Sequence, residues 1–198
     1  HNKLGSLFNK TADYSKATFH LYKSKEINES NNSKEGKKGL LKNLVNLSTS
    51  FAKLHEYSDA IRYNIEGQKL AKELTNNSLL IQLYYTIGTV YVEKANSNLV
   101  FLDTARYYYN QTIAVFKKDH YKPGIAGSFQ NIGLAWEKEN QFDSALYYYN
   151  KSKDLYSELN LFQSLAVVYK NIGNVYNRLS NREEEINNYL DGLLIARR

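Results

Sequence analysis

A small residue that returns at near-constant intervals constrains this chain more than any other feature. Gly5, Ser48, Gly88, Gly133 and Gly173 stand 43, 40, 45 and 40 positions apart. Each follows an apolar residue (Leu4, Leu47, Ile87, Ile132, Ile172) and precedes an aromatic one by three positions (Phe8, Phe51, Tyr91, Trp136, Tyr176). A second small residue, Ala17, Ala60, Ala105 or Ala145, lies 12 positions after the first in three units and 17 after it in another, an insertion of 5 residues. Seven positions past each Ala comes Ser24, Gly67, Thr112 or Ser152, and ten past it Ile27, Leu70, Val115 or Leu155. In the last unit Glu185 holds the Ala position, while Gly192 and Ile195 keep the later two. Self-similarity at such a period belongs to stacked supersecondary units and not to one compact core.

Within a unit the apolar residues recur at helical spacing, as at Leu41, Leu44, Val45, Leu47, Phe51 and Leu54, and again at Ala145, Tyr148, Tyr149, Ser152, Leu155 and Tyr156. Each unit is therefore expected to be two amphipathic helices. The small anchors let them approach, the aromatic past the first anchor fills the wedge, and the next hairpin covers the apolar face that one hairpin leaves open. Asn76-Asn77-Ser78 and Pro123-Gly124 read as turns between units. Asn181, ahead of Glu183 and Glu184, reads as a helix cap with acid at the positive end of the dipole. The polar stretch Asn28 to Lys38 reads as a flexible connection. The insertion carries Leu99, Val100, Phe101 and Leu102, which form an exposed contact patch or pack on the neighbouring repeat if the second helix starts early.

The two anchors resemble the tetratricopeptide repeat (TPR), in which an aromatic, a Leu-Gly pair and a later aromatic are followed by an Ala and a further small residue. The match covers essentially the whole chain. Its period near 40 is similar to that of kinesin light chains, of Pins/LGN-type adaptors and of many bacterial signalling proteins. The resemblance implies an all-α fold, a right-handed TPR superhelix that is an α-solenoid of antiparallel helix pairs. It implies one stack without a domain boundary over 1-198, in units of roughly 1-33, 40-77, 80-122, 125-160 and 165-198. His1 falls inside the first helix and neither end shows a polar cap, so the chain is expected to be a fragment of a longer protein.

Most chemistry is absent from the pattern. With Cys 0 there is no disulfide framework and no thiol catalysis. The four histidines, His1, His20, His55 and His120, form no metal-binding pair, the glycines are single, and no serine has a base beside it. No catalytic residue, cofactor site or metal site is therefore expected. Glu183-Glu184-Glu185 reads as a solvated helix start. The 18 tyrosines and 26 basic residues are the residue types that supply stacking platforms and phosphate contacts to nucleic acid. However, Tyr107-Tyr108-Tyr109 and Tyr147-Tyr148-Tyr149 recur at one repeat position, which speaks for packing. No apolar run is long enough to span a membrane, and nothing chooses between a cytoplasmic and a periplasmic setting.

The resemblance further implies that the first helix of each unit lines a ligand groove. Its lining positions lie three and two before the small anchor, one after it, and four and five after it. They fall on Val45, Asn46, Thr49, Ala52 and Lys53, then Tyr85, Thr86, Thr89, Val92 and Glu93. The next two units contribute Gln130, Asn131, Leu134, Glu137 and Lys138, then Lys170, Asn171, Asn174, Asn177 and Arg178. The position two before the anchor is Asn46, Thr86, Asn131 and Asn171. An amide there can donate to and accept from a peptide backbone, or it can serve the adjacent repeat. Lys170 and Arg178 would suit a carboxylate. The expected partner is a protein or peptide, with a formal net charge of +6 favouring an acidic one; self-association of open repeat ends is the other expectation. Three settings fit: the sensor region of a bacterial histidine kinase or helix-turn-helix regulator, a freestanding adaptor, and a peptide-pheromone receptor of the Rap type.

Overall fold

The computed structural model describes residues 1–31 and 33–197. Every regular element among them is an α-helix: α1 (Asn2–Lys10), α2 (Tyr14–Glu29), α3 (Lys34–Lys53), α4 (Tyr57–Glu73), α5 (Asn77–Lys94), α6 (Phe101–Lys118), α7 (Lys122–Lys138), α8 (Phe142–Glu158), α9 (Phe162–Arg178) and α10 (Arg182–Ala196). The odd-numbered helices carry the first small anchor and the even-numbered ones the second. The chain divides into two compact units, His1–Lys94 and Ala95–Arg198. The division falls at the five-residue insertion.

In the first unit α1 packs on α2, α2 on α3, α3 on α4 and α4 on α5, and α1, α3 and α5 lie side by side. Its core holds Ala17, Leu21, Leu44, Leu47, Phe51, Ala60, Tyr63 and Val90. In the second unit α7 and α8 form one hairpin and α9 and α10 another, with α6 against α7. Its core holds Ala126, Ala145, Tyr149, Tyr156, Leu165, Val168, Ile172 and Val175.

The first anchor is small for a reason that differs from the expected wedge. The side chain that meets it comes from the partner helix, 16 residues on. A Cβ on Gly133 would lie 2.7 Å from the Tyr149 ring, and one on Gly173 would lie 2.6 Å from the Tyr189 ring. Ser48 is tolerated because its facing residue is Asn64 and not a ring: Asn64 Nδ2 donates to Ser48 Oγ at 3.0 Å. The same nitrogen donates to the Leu83 carbonyl at 3.0 Å, and Asn64 Oδ1 accepts from Gln68 Nε2 at 2.7 Å. A fully buried amide is thus fully satisfied. The aromatics past the anchors serve elsewhere. Phe51 stacks on Tyr63, and Trp136 lies under Arg106, whose guanidinium carbon is 3.7 Å from the ring centroid. Arg106 is buried and forms an ion pair with Glu139 at 2.9 Å.

Among the described residues, seven turns place a non-glycine residue at positive φ: Ala12, His55, Thr75, His120, Asn140, Asn160 and Ser180. Each sits just past a helix end, and the next amide bonds back five residues, as from Glu56 N to the Phe51 carbonyl at 2.9 Å. This is the helix-stop motif that glycine ordinarily serves. Asn181 does cap α10, its Oδ1 accepting from Glu184 N at 3.3 Å.

Two local expectations are corrected. Asn28 to Lys38 is not a long flexible connection: α2 runs to Glu29 and α3 starts at Lys34. Ser33 Oγ accepts from Gly36 N at 3.0 Å, so a capped start lies inside a stretch read as loop; Asn32 lies outside the described residues. Pro123-Gly124 is not a turn either, since proline occupies the first turn of α7, where its missing N–H costs nothing. At the insertion, α6 starts at Phe101; Leu102 is buried, while Leu99 and Val100 stay exposed in the turn. Of each tyrosine triplet, Tyr109 and Tyr149 are buried whereas Tyr107 and Tyr147 are exposed.

Candidate peptide-binding faces

In the first unit, α1, α3 and α5 enclose a cavity of about 660 Å³. Its lining is Asn2, Lys3, Ser6, Leu7 and Lys10 from α1, Lys42, Val45 and Asn46 from α3, and Leu79 and Gln82 from α5. Val45 and Asn46 stand three and two before Ser48. Asn2, Lys3, Ser6 and Lys10 hold the corresponding places around Gly5. The groove register, carried back one unit to α1, would have found them; Lys42 and Gln82, each six before an anchor, lie outside it.

The carbonyl of Asn46 accepts from Asn9 Nδ2 at 3.2 Å and from Ser50 Oγ at 2.9 Å. Its side-chain amide is half-buried and makes no hydrogen bond to the described residues. Two candidate hydroxyls bond their own helix: Thr49 Oγ1 donates to the Val45 carbonyl at 3.0 Å and Thr89 Oγ1 to the Tyr85 carbonyl at 3.1 Å. Lys53 and Tyr85 are exposed and Thr86 is half-buried on the same side of the register.

In the second unit the candidates separate into two groups. Gln130 and Asn131 on α7 and Asn171 on α9 are half-buried, and the amides of Asn131 and Asn171 have no hydrogen-bond partner among the described residues; Leu134 is exposed. Lys138, Asn174 and Arg178 are engaged. Lys138 Nζ donates to Asn96 Oδ1 at 3.2 Å, and Asn174 Oδ1 accepts from the Tyr189 hydroxyl at 2.8 Å. Arg178 is the clearest departure from expectation. It donates to the Glu137 carbonyl at 3.1 Å and to Asn140 Oδ1, and lies 4.9 Å above the Phe142 ring. Its charge ties α9 to the turn before α8 and is not held out for a ligand. Lys170 lines a separate, largely apolar cleft of about 440 Å³ between α9 and α10, beside Val167, Leu193 and Ala196. Glu137 also accepts from the Tyr149 hydroxyl at 2.7 Å. Burial and this bond hold the phenol of Tyr149 far above its ordinary range.

The two units differ in charge. Residues 1–94 hold 14 basic and 9 acidic side chains, residues 95–198 hold 12 and 11. Most of the surplus is thus in the first unit. There Lys16, Lys25, Lys37 and Lys38 pair with Asp13, Glu29, Glu73 and Glu35. Lys3, Lys10 and Lys42, at the cavity, make no ion pair among the described residues. No group of three metal-ligating side chains forms there or elsewhere among those residues, and no helix of theirs is long and apolar enough to cross a membrane.

No protein-family model matches the sequence, and no curated protein is similar to it. Solved structures are similar in fold. BtubC of P. vanneervenii superposes with a TM-score of 0.74 at 17% identity, over 92% of this chain and 73% of that one. A kinesin light chain-type protein of nearly identical TPR-like repeats from Podospora anserina gives 0.77 at 12% identity, over 98% of this chain and 92% of its own. The Rap conjugation gene regulator of plasmid pLS20, solved with the Phr* peptide, gives 0.71 at 18% identity, over 98% of this chain and 52% of that one. This chain therefore has the TPR-type helical-repeat fold. It spans about half the length of that Rap regulator.

Proposed function

We propose that this chain is a non-enzymatic TPR module that holds a peptide or an extended segment of a partner protein. The observation that carries the reading is the position two before the anchor. Asn46, Asn131 and Asn171 place amides there that are half-buried, committed to no described neighbour, and able both to donate and to accept. An amide serving only the fold would bond the adjacent repeat, as Asn64 does. Among the three settings that fit, the peptide-receptor one has the support of a Rap regulator, solved with bound peptide, that is similar in fold. An acidic partner suits the net charge. A second copy of the chain is the other partner the surface fits, through Ile186, Leu190, Leu193 and Leu194, which are exposed on α10; a sedimentation experiment showing only monomer would remove it.

The test is selection of random dodecapeptides on the immobilised protein, followed by affinity measurements with Asn46→Ala, Asn131→Ala and Asn171→Ala. Loss of a hydrogen bond to the ligand is expected to weaken binding about tenfold per amide with an unchanged melting temperature. Unchanged affinity with a lowered melting temperature would make the amides structural.

A further inference from the structure

We infer that the cavity between α1, α3 and α5 reads carboxylates, so that the first unit selects acidic peptide segments and the second does not. The inference rests on the peptide-binding reading above and adds the chemical class of the ligand and the side chains that recognise it. Three lysines, Lys3, Lys10 and Lys42, and no acidic residue line the cavity. Lys16, Lys25, Lys37 and Lys38 form ion pairs within the fold; these three, like Lys53, form none among the described residues. Unneutralised like charges around a concave site raise the local concentration of anions.

The rest of the lining narrows the anion to a peptide. Leu7, Val45 and Leu79 supply apolar surface between the charges, and Asn2, Ser6, Asn46 and Gln82 supply donors and acceptors. That alternation fits a chain whose acidic residues are interleaved with aliphatic ones. Lys3 and Lys10 stand two helical turns apart on α1, roughly 10 Å. Charges so spread suit several carboxylates along an extended chain better than one compact phosphate. No aromatic ring lines the cavity, so bases would find no stacking platform, and no guanidinium is present to fork around a phosphate.

The second unit lacks the equivalent. Two before its anchors stand Asn131 and Asn171, where α1 has Lys3, and Arg178 is consumed by Glu137, Asn140 and Phe142.

The experiment uses the dodecapeptides selected on the whole chain, with fluorescence anisotropy against three proteins: wild type, Lys3→Gln/Lys10→Gln/Lys42→Gln, and Lys117→Gln/Lys118→Gln, which changes two exposed second-unit lysines outside both clefts. The three cavity lysines are exposed, and glutamine is an equally good helix former, so the folded state is retained; circular dichroism checks it. The expected result is enrichment of Asp and Glu among the selected peptides and about tenfold weaker binding to the triple variant. Binding should weaken as salt rises, and Lys117→Gln/Lys118→Gln should bind like wild type. Neutral or basic peptides that depend on the Asn amides would overturn the carboxylate reading and leave peptide binding standing. Acidic peptides held equally by the triple variant would overturn the site, as would a single-stranded oligonucleotide competing as well as polyglutamate. Recovery of no peptide overturns both readings.

Discussion

Positions 48 and 133 occupy the same place in two repeats, and the chain builds them in opposite ways. Around Gly133 the space that a side chain would take is filled by the Tyr149 ring, whose hydroxyl reaches Glu137. Around Ser48 the facing residue is Asn64, and the contact is a buried hydrogen-bond set reaching the Leu83 carbonyl. One repeat closes its hairpin with volume, the other with polarity. The small anchor is therefore one half of a pair, and its identity follows from the residue 16 positions later. Where that residue is a ring the anchor must be glycine; where it is an amide the anchor must offer a hydroxyl.

The sharpest way to break this contrast is Gly133→Leu. The added side chain has no room beside the Tyr149 ring, and urea unfolding should show a loss of about 2–3 kcal/mol. Next is Asn64→Leu, which removes a satisfied buried amide and strands Ser48 Oγ and the Leu83 carbonyl; a loss of about 2 kcal/mol is expected. The exchange Ser48→Gly/Asn64→Tyr copies the second unit's solution into the first. Its loss should be smaller than the summed losses of the single changes, and simple additivity in a double-mutant cycle would show that the two positions are not coupled.

The pH dependence separates the same two sites. The folded state holds the Tyr149 phenol well above its ordinary value, so its contribution is complete below about pH 10, the unfolded value, and declines as pH rises past it. Tyr149→Phe should flatten the alkaline fall in melting temperature, whereas Asn64→Leu should leave its slope unchanged. The smallest effect concerns a turn. Thr75 is β-branched and held at φ 49, so Thr75→Gly should stabilise the protein by about 1 kcal/mol in thermal melts.

The helices and their anchors were legible because small residues and apolar faces recur, and recurrence survives the loss of any single copy. What stayed hidden depends on contacts between residues far apart in sequence. Nothing local says that Arg178 spends its donors on Glu137 and Asn140, or that Tyr149 and not Trp136 is the ring against Gly133. Asn28 to Lys38 reads as loop because its composition is polar, yet α2 runs on to Glu29 and a Ser33-capped α3 starts at Lys34. Of the residues that line the first-unit cavity, the groove register read from the sequence includes Val45 and Asn46. Lys3 and Lys10 hold register positions on α1, and Lys42 stands one turn outside that register.

Trp136, pinned beneath the Arg106 guanidinium, is the sole indole of the chain. Its fluorescence thus issues from residues 95–198 alone, while residues 1–94 contribute only tyrosine emission. Unlabelled protein already carries an optical tag on one half: a red shift as the ring leaves its cationic cover and enters water times the opening of that half, and circular dichroism recorded alongside times the rest.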